Sequence, residues 1–450
     1  MRIAVVGSGI AGLTTAWLLA RRHAVTLFEA TNSLGGHAHT VDVELEATSH
    51  PVDTGFLVFN HNTYPNLRAL LRLLDVPTAA SDMSFSVSFS EPDIEWAGHD
   101  LRSVFAQRSN LVRPKFWKML ADMARFNRDA TLMATPRDVN TSSNLSASRQ
   151  TLGQFLKHGR YGRAFQEWYL LPMAGAIWSC PTATMLDYPM STFARFCANH
   201  GLLQWTNRPQ WHTVRGGSRE YVQRMARALT DIRLSTPVKK VRRSGAGMQV
   251  LTDAGPEQFD QVVLACHSDQ ALRLIESPSP AEQSVLSRLR YQANQAILHT
   301  DIALLPRRAA TWASWNYIAG APSTDNFSVG VTYLLNRLQP LPFSQPVMVT
   351  LNAPRPIDPS KILRRFDYEH PIFDTAAIAA QGELAAIQGQ RGLWFCGAWA
   401  GFGFHEDGLK AGLAVANALG EYAPWQQHTG TATEAIDVER AVVDVAALPA

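Results

Sequence analysis

The opening residues of the chain read as a strand, a glycine-rich turn, a helix, a second strand ending in an acid, and then a pair of glycines. Ile3-Ala4-Val5-Val6 is the strand, and Gly7-Ser8-Gly9-Ile10-Ala11-Gly12 follows at once. In this order Gly7 permits the tight turn, Gly9 lets backbone approach a pyrophosphate, and Gly12 lets helix pack on strand. Ile10 and Ala11 belong to the same cradle, at the start of a helix expected over residues 12–22 that aims its N–H groups at the phosphates. The strand Ala24 to Phe28 ends in Glu29, next to Ala30, close to the ~20-residue offset of an acid that holds a ribose hydroxyl. Leu34-Gly35-Gly36-His37 then extends the unit. The unit by itself does not separate a nicotinamide site from a flavin site, and Gly35-Gly36 alone also reads as a surface turn.

A chain of 450 residues has room for two or three domains. Hydrophobic content of 46% with 18% charged residues is ordinary for a globular enzyme, and a net charge of +3 is too small to point to nucleic acid. Cys180, Cys197, Cys266 and Cys396 lie far apart with no metal-ligand spacing, which reads as reduced thiols in a reducing compartment and no metal. The nucleotide strand begins at residue 2 and no long apolar run follows, so a cytoplasmic protein is expected.

Val52 to Phe59 reads as a mostly apolar strand, and Arg68 to Leu74 as a short amphipathic helix. Ser84 to Phe89 alternates strictly and reads as a strand. Residues 101–131 are basic and helical, split at Pro114. Asp138 to Gln150 reads as a loop, and residues 151–179 as helix with a heavy aromatic load. Gly216-Gly217 precedes a helix and a strand pair, Pro237 to Arg242 and Met248 to Thr252. The apolar run Val262 to Ala265 suits a strand buried on both faces. Phe395-Cys396-Gly397-Ala398-Trp399-Ala400-Gly401-Phe402-Gly403-Phe404-His405-Glu406-Asp407-Gly408 then leads into a helix from Leu409 to Leu419, and Thr433 to Ala447 reads as a weak helix.

The glycine-rich start, the central strand and this closing segment together resemble the flavin-dependent amine oxidoreductase and phytoene desaturase superfamily. The resemblance implies an α/β fold in which a Rossmann-type FAD-binding domain (1–80, 213–270 and 386–422) is interleaved with an α+β substrate domain (81–212 and 271–385), followed by a tail at 423–450. It also implies FAD, held by Gly7, Gly9, Ile10, Ala11, Gly12, Glu29, Ala30, Gly35, Gly36, His37, Thr54, Gly55, Phe56, Val238, Gly397, Ala398, Glu406, Asp407 and Gly408. Val52-Asp53-Thr54-Gly55-Phe56, Asn60 with Thr63-Tyr64-Pro65, Ser81 to Phe85, Trp312 to Tyr317 and Gly401 to Gly408 are similar to one subgroup, found beside or fused to cyclopropane fatty acid synthases.

That narrower resemblance implies an FAD-dependent desaturase of acyl chains in membrane phospholipids, of the furan fatty acid pathway type. A cyclopropane-synthase-like methyltransferase would be its partner, and a homodimer stays open. The chain departs from monoamine oxidases in carrying His37 where many relatives have Arg, and in showing neither a covalent flavin-cysteine segment nor a flavin-facing lysine. A flavin amine oxidase, and a non-catalytic flavoprotein supporting a lipid methyltransferase, stand as alternatives.

His405, Glu406 and Asp407 are the titratable group nearest the expected flavin and the candidates for proton transfer; the competing reading is that the acids cap the last helix. His37 and His39 are further candidates, with phosphate contact as the competing role. Trp178, Trp315, Tyr317, Trp399, Phe402 and Phe404 are expected to line an apolar substrate cavity, against a plain core role. Leu101 to Arg128 mixes Phe, Trp, Leu and Met with seven cations and one acid, Asp122, which reads as an interfacial helix on anionic lipid, or as a helix packed on the substrate domain.

Overall fold

Strands that are apolar on both faces fold only where both faces are covered. The computed structural model describes residues 1–134, 150–178, 183–204, 208–245, 247–319 and 330–426. It sets the two such runs, Arg2–Val6 and Gln261–Leu264, side by side at the centre of a parallel sheet. The spatial order is Asp231–Arg233, Ala24–Phe28, Arg2–Val6, Gln261–Leu264, Leu393–Phe395. In chain order this is the doubly wound dinucleotide-binding arrangement, with a crevice outside the carboxyl ends of the strands where the order reverses. Helix Ile10–Leu19 crosses the final helix His405–Ala418. Gly412 makes the crossing possible: a Cβ there would stand 2.4 Å from the Ala11 carbonyl oxygen, and Thr15 Oγ1 donates to the Gly412 carbonyl at 3.2 Å.

A second, seven-stranded sheet runs in the order Ile362–Pro371, Tyr291–His299, Met348–Leu351, Gly330–Leu334, Trp315–Ile318, Phe85–Phe89, Ile94–Ala97. Its pairings are antiparallel except that of Trp315–Ile318 with Phe85–Phe89. The serines of the alternating strand point not to water but into a satisfied polar ladder: Ser86 Oγ donates to Asn316 Oδ1 at 2.7 Å and Ser88 Oγ to Glu95 Oε1 at 2.9 Å. Helix Met190–Asn199 packs on helices Pro114–Ala134 and Leu152–His158, and Leu171–Trp178 packs on strand Trp315–Ile318. The split expected at Pro114 falls between Arg108–Val112 and the helix that Pro114 opens.

Several boundaries differ from the sequence expectation. The strand expected over 52–59 is a hairpin, Thr40–Leu45 with Thr48–Asp53, and it stops because buried Asp53 accepts from Ser218 N, Ser218 Oγ and Thr40 Oγ1. The strand pair is three-stranded, Lys240–Ser244, Gly247–Thr252 and Gly255–Phe259. The flanking helices start at Ile10 and His405, before the expected Gly12 and Leu409. Most of the expected 138–150 loop, and the weak helix at 433–447, lie outside the described residues. Among the described residues no helix is long and apolar enough to cross a membrane, and no metal-binding cluster occurs.

Candidate active site

At the phosphate end of the crevice, helix Ile10–Leu19 begins with Gly9 as N-cap and no side chain bonded to its open N–H groups. A Cβ added at Gly9 would meet nothing within 4 Å, whereas one at Gly12 would lie 1.9 Å from the Gly7 carbonyl oxygen. Gly12 therefore seals the turn and Gly9 leaves room above it. Glu29 Oε2 accepts from Ser8 N and Ser8 Oγ at 3.1 and 2.5 Å, and Oε1 from Thr31 N and Thr31 Oγ1, both at 2.9 Å. Two of these four donors are hydroxyls, the donor type of a ribose diol. Gly35 N donates to the Ser8 carbonyl at 3.2 Å, and a Cβ at Gly36 would lie 3.1 Å from Gly9 Cα. Thr236 N donates to the Glu29 carbonyl at 2.9 Å, which brings Val238 alongside, packed on the cluster that holds Phe28. Ala30 is exposed beside Glu29.

The double-glycine loop, Thr54-Gly55-Phe56 and the last helix meet in the middle of the crevice. Phe56 N donates to the His37 carbonyl at 2.8 Å, and a Cβ at Gly55 would lie 2.2 Å from that oxygen. Phe56 stacks on His405, ring centroids 3.9 Å apart. His39 Nδ1, Thr54 Oγ1 and Tyr368 Oη form a triangle with 2.9 Å sides. Three site residues were not anticipated from sequence: Phe366, Tyr368 and His370 approach the rings of His39 and His37 at 4.9, 4.9 and 5.2 Å. Their signal was the period-2 spacing on strand Ile362–Pro371, which puts alternate side chains on one face. His37 is reachable by solvent, yet it is so surrounded by protein that desolvation lowers its pKa to about 4, with His267 and His39 adding to the effect.

Gly397, Ala398 and Gly408 close the site against the opening helix: a Cβ at Gly408 would lie 2.8 Å from Ile10 Cγ2 and 3.6 Å from Ala398 N. The candidates for proton transfer at the head of the last helix each have fixed partners. His405 Nε2 is 2.7 Å from the Tyr221 hydroxyl, and burial lowers its pKa to about 3. Glu406 accepts from Asn66 N, Asn66 Nδ2 and Leu67 N at 3.0, 2.7 and 2.9 Å, so it caps helix Pro65–Leu73, and burial raises its pKa to about 7. Asp407 Oδ2 accepts from Phe402 N and Phe404 N at 3.1 and 2.9 Å, capping its own helix, and burial raises its pKa to about 6. All three are bound into the scaffold; Asp407 caps the last helix as the competing reading had it, whereas Glu406 caps a different one, Pro65–Leu73.

Trp399 stands in the core rather than at a cavity wall. It is 1% exposed, packed in the nucleotide-side core, and its Nε1 donates to the Cys266 carbonyl at 3.0 Å. The other aromatic candidates gather elsewhere. Trp178 lies 4.6 Å from Phe196, which stands 5.0 Å from Phe404 and 5.9 Å from Phe402. Trp315 and Tyr317 sit on the strand that helix Leu171–Trp178 packs against. From Trp178 an unbroken series of rings runs through Phe193, Phe126, Phe165, Tyr169, Trp96, Phe116 and Phe105 to Trp117, successive centroids 5.4–6.3 Å apart.

The expected interfacial face of the basic helix is buried: Phe116, Met119, Met123 and Phe126 are at most 5% exposed. Exposed apolar residues cluster instead at its beginning, with Val112 83%, Leu101 77%, and Leu111 and Trp117 each 50% exposed, while Leu132 stands alone near its end. Trp117 Nε1 donates to the Leu111 carbonyl at 2.9 Å, which fixes the ring at this tip. Arg102, Arg108 and Lys115 are close to it in sequence and form no ion pair among the described residues.

An open glycine turn, an uncapped helix start and an acid at the end of the second strand define a dinucleotide-binding fold. The chain belongs to the flavin containing amine oxidoreductase family, whose model matches residues 10–317. It is 28% identical over 298 residues to the carotenoid phi-ring synthase of Streptomyces griseus, spanning 62% of this chain and 54% of that one. It is 26% identical over 298 residues to the monoamine oxidase-like AofH of Mycobacterium tuberculosis, spanning 63% of this chain and 61% of AofH. The matches thus extend over little more than half the length of these relatives. Putrescine oxidase, solved with putrescine bound, shares the fold over 93% of this chain and 99% of its own, with a TM-score of 0.66 at 13% identity. The family cofactor, FAD, fits the residues present. Space stands open over Gly9, the helix start has unused donors, and Gly36 and His37 keep accessible surface deep in the crevice.

Proposed function

We propose that this chain is an FAD-dependent desaturase acting on an unsaturated or methyl-branched acyl chain of membrane phospholipids. The observation that carries this reading is the exposed apolar tip of Leu101, Leu111, Val112 and Trp117, beside Arg102, Arg108 and Lys115, which form no ion pair among the described residues. Such a tip suits an anionic bilayer, where each cation contributes about 1 kcal/mol and Trp and Leu side chains enter the interface. FAD, when bound, supplies the acceptor for a hydride from an allylic C–H. Loss of a neighbouring proton then leaves a new double bond in the chain.

The carotenoid named in the Streptomyces relative is likewise an apolar substrate, which supports a family site able to take one. Similarity to AofH favours an amine instead. Against that reading, Glu406 spends both oxygens on Asn66 and Leu67, and Asp407 commits its Oδ2 to the Phe402 and Phe404 N–H groups. The test is anaerobic incubation of the FAD-loaded protein with anionic phospholipid vesicles or with mono- and diamines, followed at about 450 nm, where oxidised flavin absorbs. Bleaching by vesicles bearing unsaturated chains is expected. Bleaching by amines alone overturns the lipid reading in favour of amine oxidation.

A further inference from the structure

His370 lies near the end of strand Ile362–Pro371, an edge of the seven-stranded sheet, with its ring 5.2 Å from that of His37 in the crevice. Behind it runs a chain of amides whose polarity is set by backbone groups. The Gln295 N–H can only donate, and it donates to Asn352 Oδ1 at 3.0 Å. Asn352 therefore presents Nδ2, which donates to Asn294 Oδ1 at 2.6 Å. Asn294 in turn directs its own Nδ2 to the Gln292 carbonyl at 3.2 Å, an atom that can only accept, and to His370 Nδ1 at 2.8 Å.

The orientation of Asn294 is thus imposed from both ends, and His370 Nδ1 has to be the unprotonated nitrogen. In a neutral imidazole the proton then resides on Nε2. Nε2 has no hydrogen-bond partner among the described residues. Burial lowers the His370 pKa to about 3, and the facing His37 and His267 push the same way. Glu369, the acid next in sequence, is bonded to His267 at 3.1 Å rather than to His370. The ring stays neutral wherever the protein works.

We infer that His370 is a hydrogen-bond donor to bound FAD through Nε2–H, with Asn294 as the positioning residue that fixes its tautomer. The inference rests on the cofactor and not on the acyl substrate. Should that donor face the electron-accepting ring of FAD, it would favour the reduced, more electron-rich form and raise its reduction potential. An acceptor at the same point would do the reverse.

Long-range proton–nitrogen NMR of the FAD-loaded protein with labelled histidine reads the tautomer directly, and His370→Phe assigns the signal. Wild type is expected to show the Nε2–H form unchanged from about pH 8 to about pH 5, below the ordinary histidine value. Dye-coupled reduction is expected to give a more negative potential for His370→Phe, with partial return in His370→Gln, which keeps an N–H donor. Asn294→Asp reverses the polarity of the last bond. It should move the proton to Nδ1, raise the imidazole pKa and give the potential a new pH-dependent step. An Nδ1–H tautomer in wild type, or a potential unmoved in His370→Phe, overturns the inference. The wild-type spectrum decides the tautomer even where a variant fails to fold.

Discussion

Glu406 accepts three hydrogen bonds from the first turn of helix Pro65–Leu73, and burial holds its pKa at about 7, above the ordinary 4.5. The folded protein therefore keeps a proton that the unfolded chain releases over this interval. The stability from that proton is full below the lower value and is lost as pH rises through the upper one. Glu406→Gln removes the titration. Thermal melts should show the variant gaining on wild type between about pH 5 and about pH 8, and a constant difference across that range contradicts the burial argument. Glu29→Ala is expected to weaken FAD by about 1.5–3 kcal/mol, the worth of hydrogen bonds to a charged group. Fluorescence titration of the apoprotein reads this, and an unchanged Kd contradicts the ribose role. Glu29 was legible because its offset from the glycine turn is local. The roles of Glu406 and His405 were not, because their partners Asn66 and Tyr221 lie 340 and 184 residues away.

Helix Ile10–Leu19 and the last helix touch backbone to backbone at Gly412, whose Cβ position is 2.4 Å from the Ala11 carbonyl oxygen. Gly412→Ala forces the helices apart, and a loss of about 1–3 kcal/mol is expected for such overpacking, read as a lower Tm and weaker FAD retention. Retention of wild-type Tm contradicts the close crossing. At the basic helix, apolar periodicity was visible in sequence, but periodicity does not say whether protein or lipid covers the stripe. The fold covers it with protein and leaves Leu101, Leu111, Val112 and Trp117 outside. Val112→Asp should reduce sedimentation with anionic vesicles and leave FAD content unchanged. Equal sedimentation of variant and wild type removes the membrane role from this tip.

For the whole molecule, three separated stretches supply one parallel sheet and one crevice. Their order was readable because each carries a local mark: the glycine turn, the apolar run Val262 to Ala265, and the glycines after Phe395. Strand Asp231–Arg233 carries none; it is three residues long, with a charge at each end, and only pairing with Ala24–Phe28 defines it. The stripe of Phe366, Tyr368 and His370 escaped notice because facing the crevice is a property of the assembled sheets. Oxidation of an acyl chain is the central claim, and its product is the most direct witness. Mass spectrometry of phospholipids from cells making this chain, against cells making the turn-blocking Gly12→Val variant, should reveal acyl species two mass units lighter only in the former. Identical acyl profiles in the two, with FAD bound by the first protein and absent from the second, would contradict the account.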